Sequence, residues 1–166
     1  MTEDHRQAPL QHGVPDREAI RRELEQAKQD FHALLNSLDP SDWERSSGTR
    51  GWTVRQSMWH LASEVGLTAG SVAMAKQGRN YSPPGWLSRR INAFTTGRGA
   101  RHATVESVAE QYDYGHEKLI AALDEVEPED WEKGSRIFGE YTTVEGHFHA
   151  VARRFAEYSA AIKKTR

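Results

Sequence analysis

His60, Glu145 and His149 are the residues best suited by type and spacing to hold a divalent cation. Glu145 and His149 stand four apart, so on a helix they project from one face, as helices do when they present two ligands to one ion. His60 lies on the line Thr53, Ser57, His60, Glu64, which borders an apolar stripe. Three such ligands leave one coordination position open, where the ion can activate a bound water. A purely structural role competes for Glu145: Thr142-x-x-Glu145 has the spacing of a capping box, in which the carboxylate serves free backbone amides at a helix start. For His149 the competing role is a rim histidine. Of the remaining histidines, His5 and His12 fall in the N-terminal tail and His102 in a connector, while His147 points to another face than His149. His32 and His116 flank apolar seams and are expected to be partly buried and hydrogen-bonded.

A second set of groups is basic. From Val65 to Val105 there is no acidic residue, while Lys76, Arg79, Arg89, Arg90, Arg98 and Arg101 all fall there. Arginine forks match carboxylate and phosphate geometry, so Arg89 and Arg90 are candidates to orient a small anionic substrate. The competing role is a solvated crossover. Cysteine is absent, which excludes a thiolate nucleophile, cysteine-ligated zinc and iron–sulfur chemistry, so any thiol taking part in a reaction comes from outside the chain.

The elements that position these groups are read from apolar spacing. Ile20, Leu24, Ala27, Phe31, Leu34 and Leu38 alternate fours and threes and predict a helix over 16–38. Val54, Met58, Leu61, Val65 and Val72 predict a second over 53–76, opened by Thr53 with Gln56 in capping-box spacing. Val108, Tyr112, Gly115, Leu119, Ala122 and Val126 predict a third over 104–126, and Val144, Phe148, Val151, Phe155, Tyr158 and Ile162 a fourth over 142–163. No segment reads as a strand. Each stripe must be buried against the others, so the expected fold is an all-α four-helix bundle. Its expected core includes Leu24, Phe31, Leu34, Leu61, Val65, Tyr112, Leu119, Val151, Phe155 and Ile162.

The two halves are alike. Pro40-Ser41-Asp42-Trp43 recurs as Pro128-Glu129-Asp130-Trp131 at an offset of 88, and Thr53-Val54 as Thr143-Val144 at an offset of 90, so the bundle reads as two similar helical hairpins. In each half Pro ends a helix and Trp plugs the end of the bundle. The connector, about 77–103, is expected to hold one short helix; residues 1–15 and the Lys163–Arg166 tail are expected to be poorly ordered around a domain spanning 16–163. A net charge of −2 and the lack of a groove-reading motif argue against a nucleic-acid partner. No apolar run reaches the roughly 20 residues of a membrane span, and the polar N-terminus does not read as a signal peptide, so a cytoplasmic protein without a membrane partner is expected.

Gly51-Trp52-Thr53-Val54-Arg55, followed by His60-Leu61-Ala62 and Glu64, resembles the helix-two signature of the DinB-like superfamily. That group includes the N-terminal metal-binding domain of mycothiol-dependent maleylpyruvate isomerase. Pro40-x-Asp42-Trp43 and Thr143-Val144-Glu145 fit as well, and the likeness runs from about Asp16 over nearly the whole chain. The resemblance implies a four-helix bundle holding a divalent ion, such as zinc or nickel, through one histidine of helix two and a pair spaced four apart on the last helix. That pair is His-x-x-x-His in most members and Glu-x-x-x-His in the isomerase branch. It also implies a small thiol, such as mycothiol or bacillithiol, used in transfer or isomerisation. Two registers are open on the last helix. By ligand chemistry the pair is Glu145 and His149; by distance from the Thr-Val-Glu opening it falls on Arg154 and Tyr158, about 13 Å further along the helix, neither of which is a credible ligand. The first register gives a metal-dependent thiol transferase or isomerase acting on a small anionic substrate. The second gives a non-catalytic bundle with a degenerate metal site, binding a small ligand or forming a homodimer.

Overall fold

A computed structural model describes residues 13–137 and 139–165. The chain order is α1 (Arg17–Asn36), α2 (Val54–Lys76), α3 (Gly85–Gly99), α4 (Val105–Asp124), β1 (Gly134–Ile137), β2 (Glu140–Thr143) and α5 (Val144–Lys164). The four long helices α1, α2, α4 and α5 form the bundle, and α3 occupies the connector. Most of the N-terminal tail, with His5 and His12, lies outside the described residues, as does Arg166.

Each bundle helix starts where a side chain can take up free amides. The Asp16 carboxylate accepts from the Glu18 and Ala19 amides, and Thr53 with Gln56 forms the expected capping box on α2. Thr104 and Ser107 do the same for α4. At α5 the structure departs from expectation. Thr142 belongs to β2, so the cap is Thr143, whose hydroxyl accepts from the Gly146 amide at 3.1 Å. Gly146 has no side chain to reach back, and the Thr142–Glu145 capping box does not form.

All ten expected core residues are buried. The Phe31 ring of α1 stacks on Tyr112 of α4 at 4.0 Å and meets Phe155 of α5 edge-on at 6.3 Å. Burying side chains of this size contributes about 1.5–3 kcal/mol each relative to leaving them exposed. α1 and α2 each pack on both α4 and α5, so the two halves interlock through each other's helices. α2 crosses α4 so closely that a Cβ on Gly115 would come within 2.7 Å of the Gly66 backbone nitrogen. Only glycine permits that approach.

The repeated Pro-x-Asp-Trp element has the same construction twice. Asp42 accepts the Asp39 amide and pairs with Arg45 at 2.8 Å; Asp130 accepts the Glu127 amide and pairs with Lys133 at 2.7 Å. The carbonyls of Arg45 and Lys133 then accept the Val54 and Val144 amides, tying each turn to the first residue of the next helix. Trp43 and Trp131 are buried, as their plugging role requires.

Three other expectations are corrected. The stretch before α5 is a two-stranded antiparallel hairpin pairing Gly134 with Thr143 and Ile137 with Glu140. Its strands are too short for alternation to stand out, and β1 is stabilised by packing on α2 and by the bridge from Tyr81 to Ile137. The connector helix runs for 15 residues. The C-terminal residues are tied down: Lys163 and Lys164 complete α5, and the Thr165 hydroxyl donates to the Ser46 carbonyl at 3.1 Å.

Candidate ligand cleft

His60 sits in the second turn of α2, where the capping box fixes the helix entry. Its side chain is buried between three elements. Nε2 lies 3.4 Å from Glu64 Oε1, one turn on, and Nδ1 lies 3.4 Å from the hydroxyl of Thr96, the residue of α3 that is buried. The ring is edge-on to Trp52 at 4.7 Å and stacked on Tyr158 of α5 at 6.1 Å. Across the bundle, Arg154 Nη1 donates to Glu64 Oε1 at 2.7 Å. Burial pushes the Glu64 carboxyl up, but His60, Arg154 and Arg50 together outweigh it and hold it below its ordinary value. The Tyr158 hydroxyl is raised by its burial and by Glu64, with Arg50 and Arg154 opposing.

Glu64, Arg154 and Tyr158 form one wall of a cleft of about 340 Å³, within the usual size of small-molecule sites. Arg50, Arg89 of α3 and Glu140 of β2 complete its rim. Arg50 is held with φ at 52°, a left-handed value that an L side chain adopts at a cost, between Gly48 and Gly51, and its guanidinium lies 5.6 Å from the Trp52 ring centre. Arg89, expected to face a ligand, does line the cleft; Arg90, one residue on, is exposed and does not.

The expected ligand set is not assembled. Glu145 and His149 are together, 3.6 Å apart, but His149 Nδ1 bonds Glu23 of α1 at 2.6 Å. His60 faces Arg154 and Tyr158. The reason is helical phase: residues 154 and 158 each lie nine places, two and a half turns, beyond 145 and 149, so the two pairs point to opposite sides of α5. Among the described residues no group of three His, Asp or Glu side chains is arranged to hold a metal. Three other histidines, His32, His116 and His147, pack within the bundle. His32 bonds Asp113 at 2.7 Å, His116 is buried 3.6 Å from Glu25, and His147 is buried with Nε2 unpartnered, burial and the Arg154 charge pushing it down.

The fold defines the class: a predominantly all-α four-helix bundle with a cleft beside its second and last long helices. The chain belongs to the mycothiol maleylpyruvate isomerase N-terminal domain family, whose model matches residues 24–160. Its structure is similar to that of the mycothiol-dependent maleylpyruvate isomerase, with a TM-score of 0.71 and 13% identity, covering 89% of this chain and 61% of that one. It is similar also to YfiT from Bacillus subtilis, described as a probable metal-dependent hydrolase with an unusual four-helix bundle topology. There the TM-score is 0.75, the identity 15%, and the coverage 92% of this chain and 88% of that one. At these identities the likeness is one of fold, and the chain spans less than two thirds of the isomerase's length. No curated protein sequence matches it.

A metal of the kind the fold implies does not fit the residues present. Around His60 the donors are one imidazole and one carboxylate, and that carboxylate is already bonded to a guanidinium. Arginine has no lone pair to offer, and the Tyr158 phenol is shifted away from ionisation. No helix among the described residues is long and apolar enough to cross a membrane.

Proposed function

We propose that the chain binds a small carboxylate-bearing molecule in the cleft beside His60, in the manner of a family member whose metal site is degenerate. The observation that carries this reading is the Arg154–Glu64 bond in front of His60, with Arg50 and Arg89 on the same cleft. Arg154 is neutralised by Glu64, whereas Arg89 has no ion-pair partner among the described residues and has its fork free for a ligand carboxylate. Glu140 and Glu157 also line the cleft, so a ligand that carries an ammonium as well as a carboxylate matches it best. Any thiol taking part comes from outside, since the chain has no cysteine; dependence on mycothiol is stated of the isomerase, and a small thiol is a co-ligand to test alongside.

Calorimetric titration with succinate, γ-aminobutyrate and 1,4-diaminobutane tests the charge assignment at constant chain length. The two carboxylates are expected to bind and the diamine not. Arg89→Ala should weaken carboxylate binding by about tenfold or more, the usual worth of one charge-assisted hydrogen bond. Binding of the diamine alone, or of none of the three, would falsify the reading.

A further inference from the structure

We propose that the Arg154 guanidinium is the resident cation of this site, standing between α2 and α5 where a bundle of this kind would hold a divalent metal. Four side chains meet there in two pairs, each spaced one turn apart: His60 and Glu64 on α2, Arg154 and Tyr158 on α5. Arg154 is 2.7 Å from Glu64, and Tyr158 is stacked on His60 at 6.1 Å. Facing helices that each contribute two inward side chains one turn apart are how helical bundles build metal sites. In this chain the α2 pair keeps metal-binding chemistry, while the α5 pair has a permanent positive charge and a buried, protonated phenol.

The substitution preserves the charge pattern. Glu64 is partly buried, and Arg154 sets beside it a positive charge that cannot dissociate or be chelated. A divalent ion brought to the same carboxylate would meet the guanidinium at bonding distance from its ligand. Thr96 at Nδ1 and Glu64 at Nε2 hold the His60 ring in place from both sides, so no metal is needed to fix its orientation. The site is therefore complete without a metal, whichever ligand occupies the neighbouring cleft.

The experiment compares metal content and melting temperature of untagged wild-type protein with those of Arg154→His/Tyr158→His, in nickel and in EDTA. Wild type is expected to purify without stoichiometric metal and to melt at the same temperature in both. The double variant, which places two imidazoles one turn apart opposite His60 and Glu64, is expected to bind nickel and to melt several degrees higher with nickel than with EDTA. Because Tyr158 is buried, the single variant Arg154→His serves as the milder test with the same readouts: it leaves Tyr158 in place and adds a second imidazole to the His60–Glu64 pair. A wild-type protein that carries stoichiometric zinc or nickel, or that EDTA destabilises, overturns the proposal. So does a folded variant, single or double, that shows no nickel-dependent rise, because residue 154 would then not stand where a metal can be held.

Discussion

Arg50 combines an unfavourable backbone angle with a place on the cleft. Its φ of 52° is unfavourable for any side chain with a Cβ, and glycines at 48 and 51 take positive φ without that cost. The loop thus places an arginine where a glycine would be easier, and what the arginine gains there is a position on the cleft and over the Trp52 face. Arg50→Gly removes strain of about 1–3 kcal/mol, partly offset by the greater freedom of glycine in the unfolded chain. The melting temperature is expected to stay level or rise while carboxylate binding weakens. A clear fall in melting temperature with binding intact would show that Arg50 is held for packing. Nothing in the sequence marked this residue, because a backbone angle has no signature in residue type when glycine is not used. Arg154 and Tyr158 were legible by counting from the helix opening, and Tyr158 also by its place in the apolar seam. The Glu145–His149 spacing was sound as far as it went, since the two do meet on one face of α5. A four-residue spacing fixes a shared face and leaves open which neighbour that face meets; it meets Glu23 of α1.

At the scale of elements, the repeated turn shows how local chemistry sets where the helices end and begin. Asp130 accepts a backbone amide and lies between Lys133 and Lys76; the bond from Lys133, outweighing burial, with help from the Glu127 amide and Lys76, takes its pKa down to about 2 from an ordinary 3.8. A carboxyl with a depressed pKa stabilises the folded state fully above its unfolded value, and that contribution is lost as pH falls through the folded one. The acid-sensitive window for this turn is therefore from about 4 down to about 2. Asp130→Asn is expected to lower the melting temperature at neutral pH and to flatten its dependence on pH within that window. A variant with the wild-type pH profile would mean that other carboxylates carry the acid response. The turns, caps and four bundle helices were legible because Pro, Asp, Trp and Thr at fixed offsets act within a few residues of themselves. The hairpin of β1 and β2 was not, since strands of four residues owe their stability to α2 and to Tyr81, distant in sequence.

The whole molecule behaves as one unit because of how the halves exchange partners. The sequence repeat suggests two hairpins, each able to close on itself, yet α1 and α2 each lie against α4 and α5. Phe31, Tyr112 and Phe155 make this concrete: three rings from three helices, with Phe31 of the first half held between two residues of the second. Neither half keeps a core without the other. Phe155→Ala removes a buried ring at this junction and is expected to cost about 3–5 kcal/mol. The loss should appear as a single unfolding transition at lower denaturant, with tryptophan fluorescence and far-ultraviolet circular dichroism still coincident, as they are for a two-state domain. Of the five tryptophans, Trp43 and Trp131 sit in opposite halves, so two variants in the Phe155→Ala background, each keeping one of these two with the other four replaced by Phe, read the halves separately by fluorescence. If the two report different midpoints, the halves unfold separately and the interlocked packing does not govern stability. If they coincide, the repeat in the sequence marks two similar halves that only one shared core can stabilise.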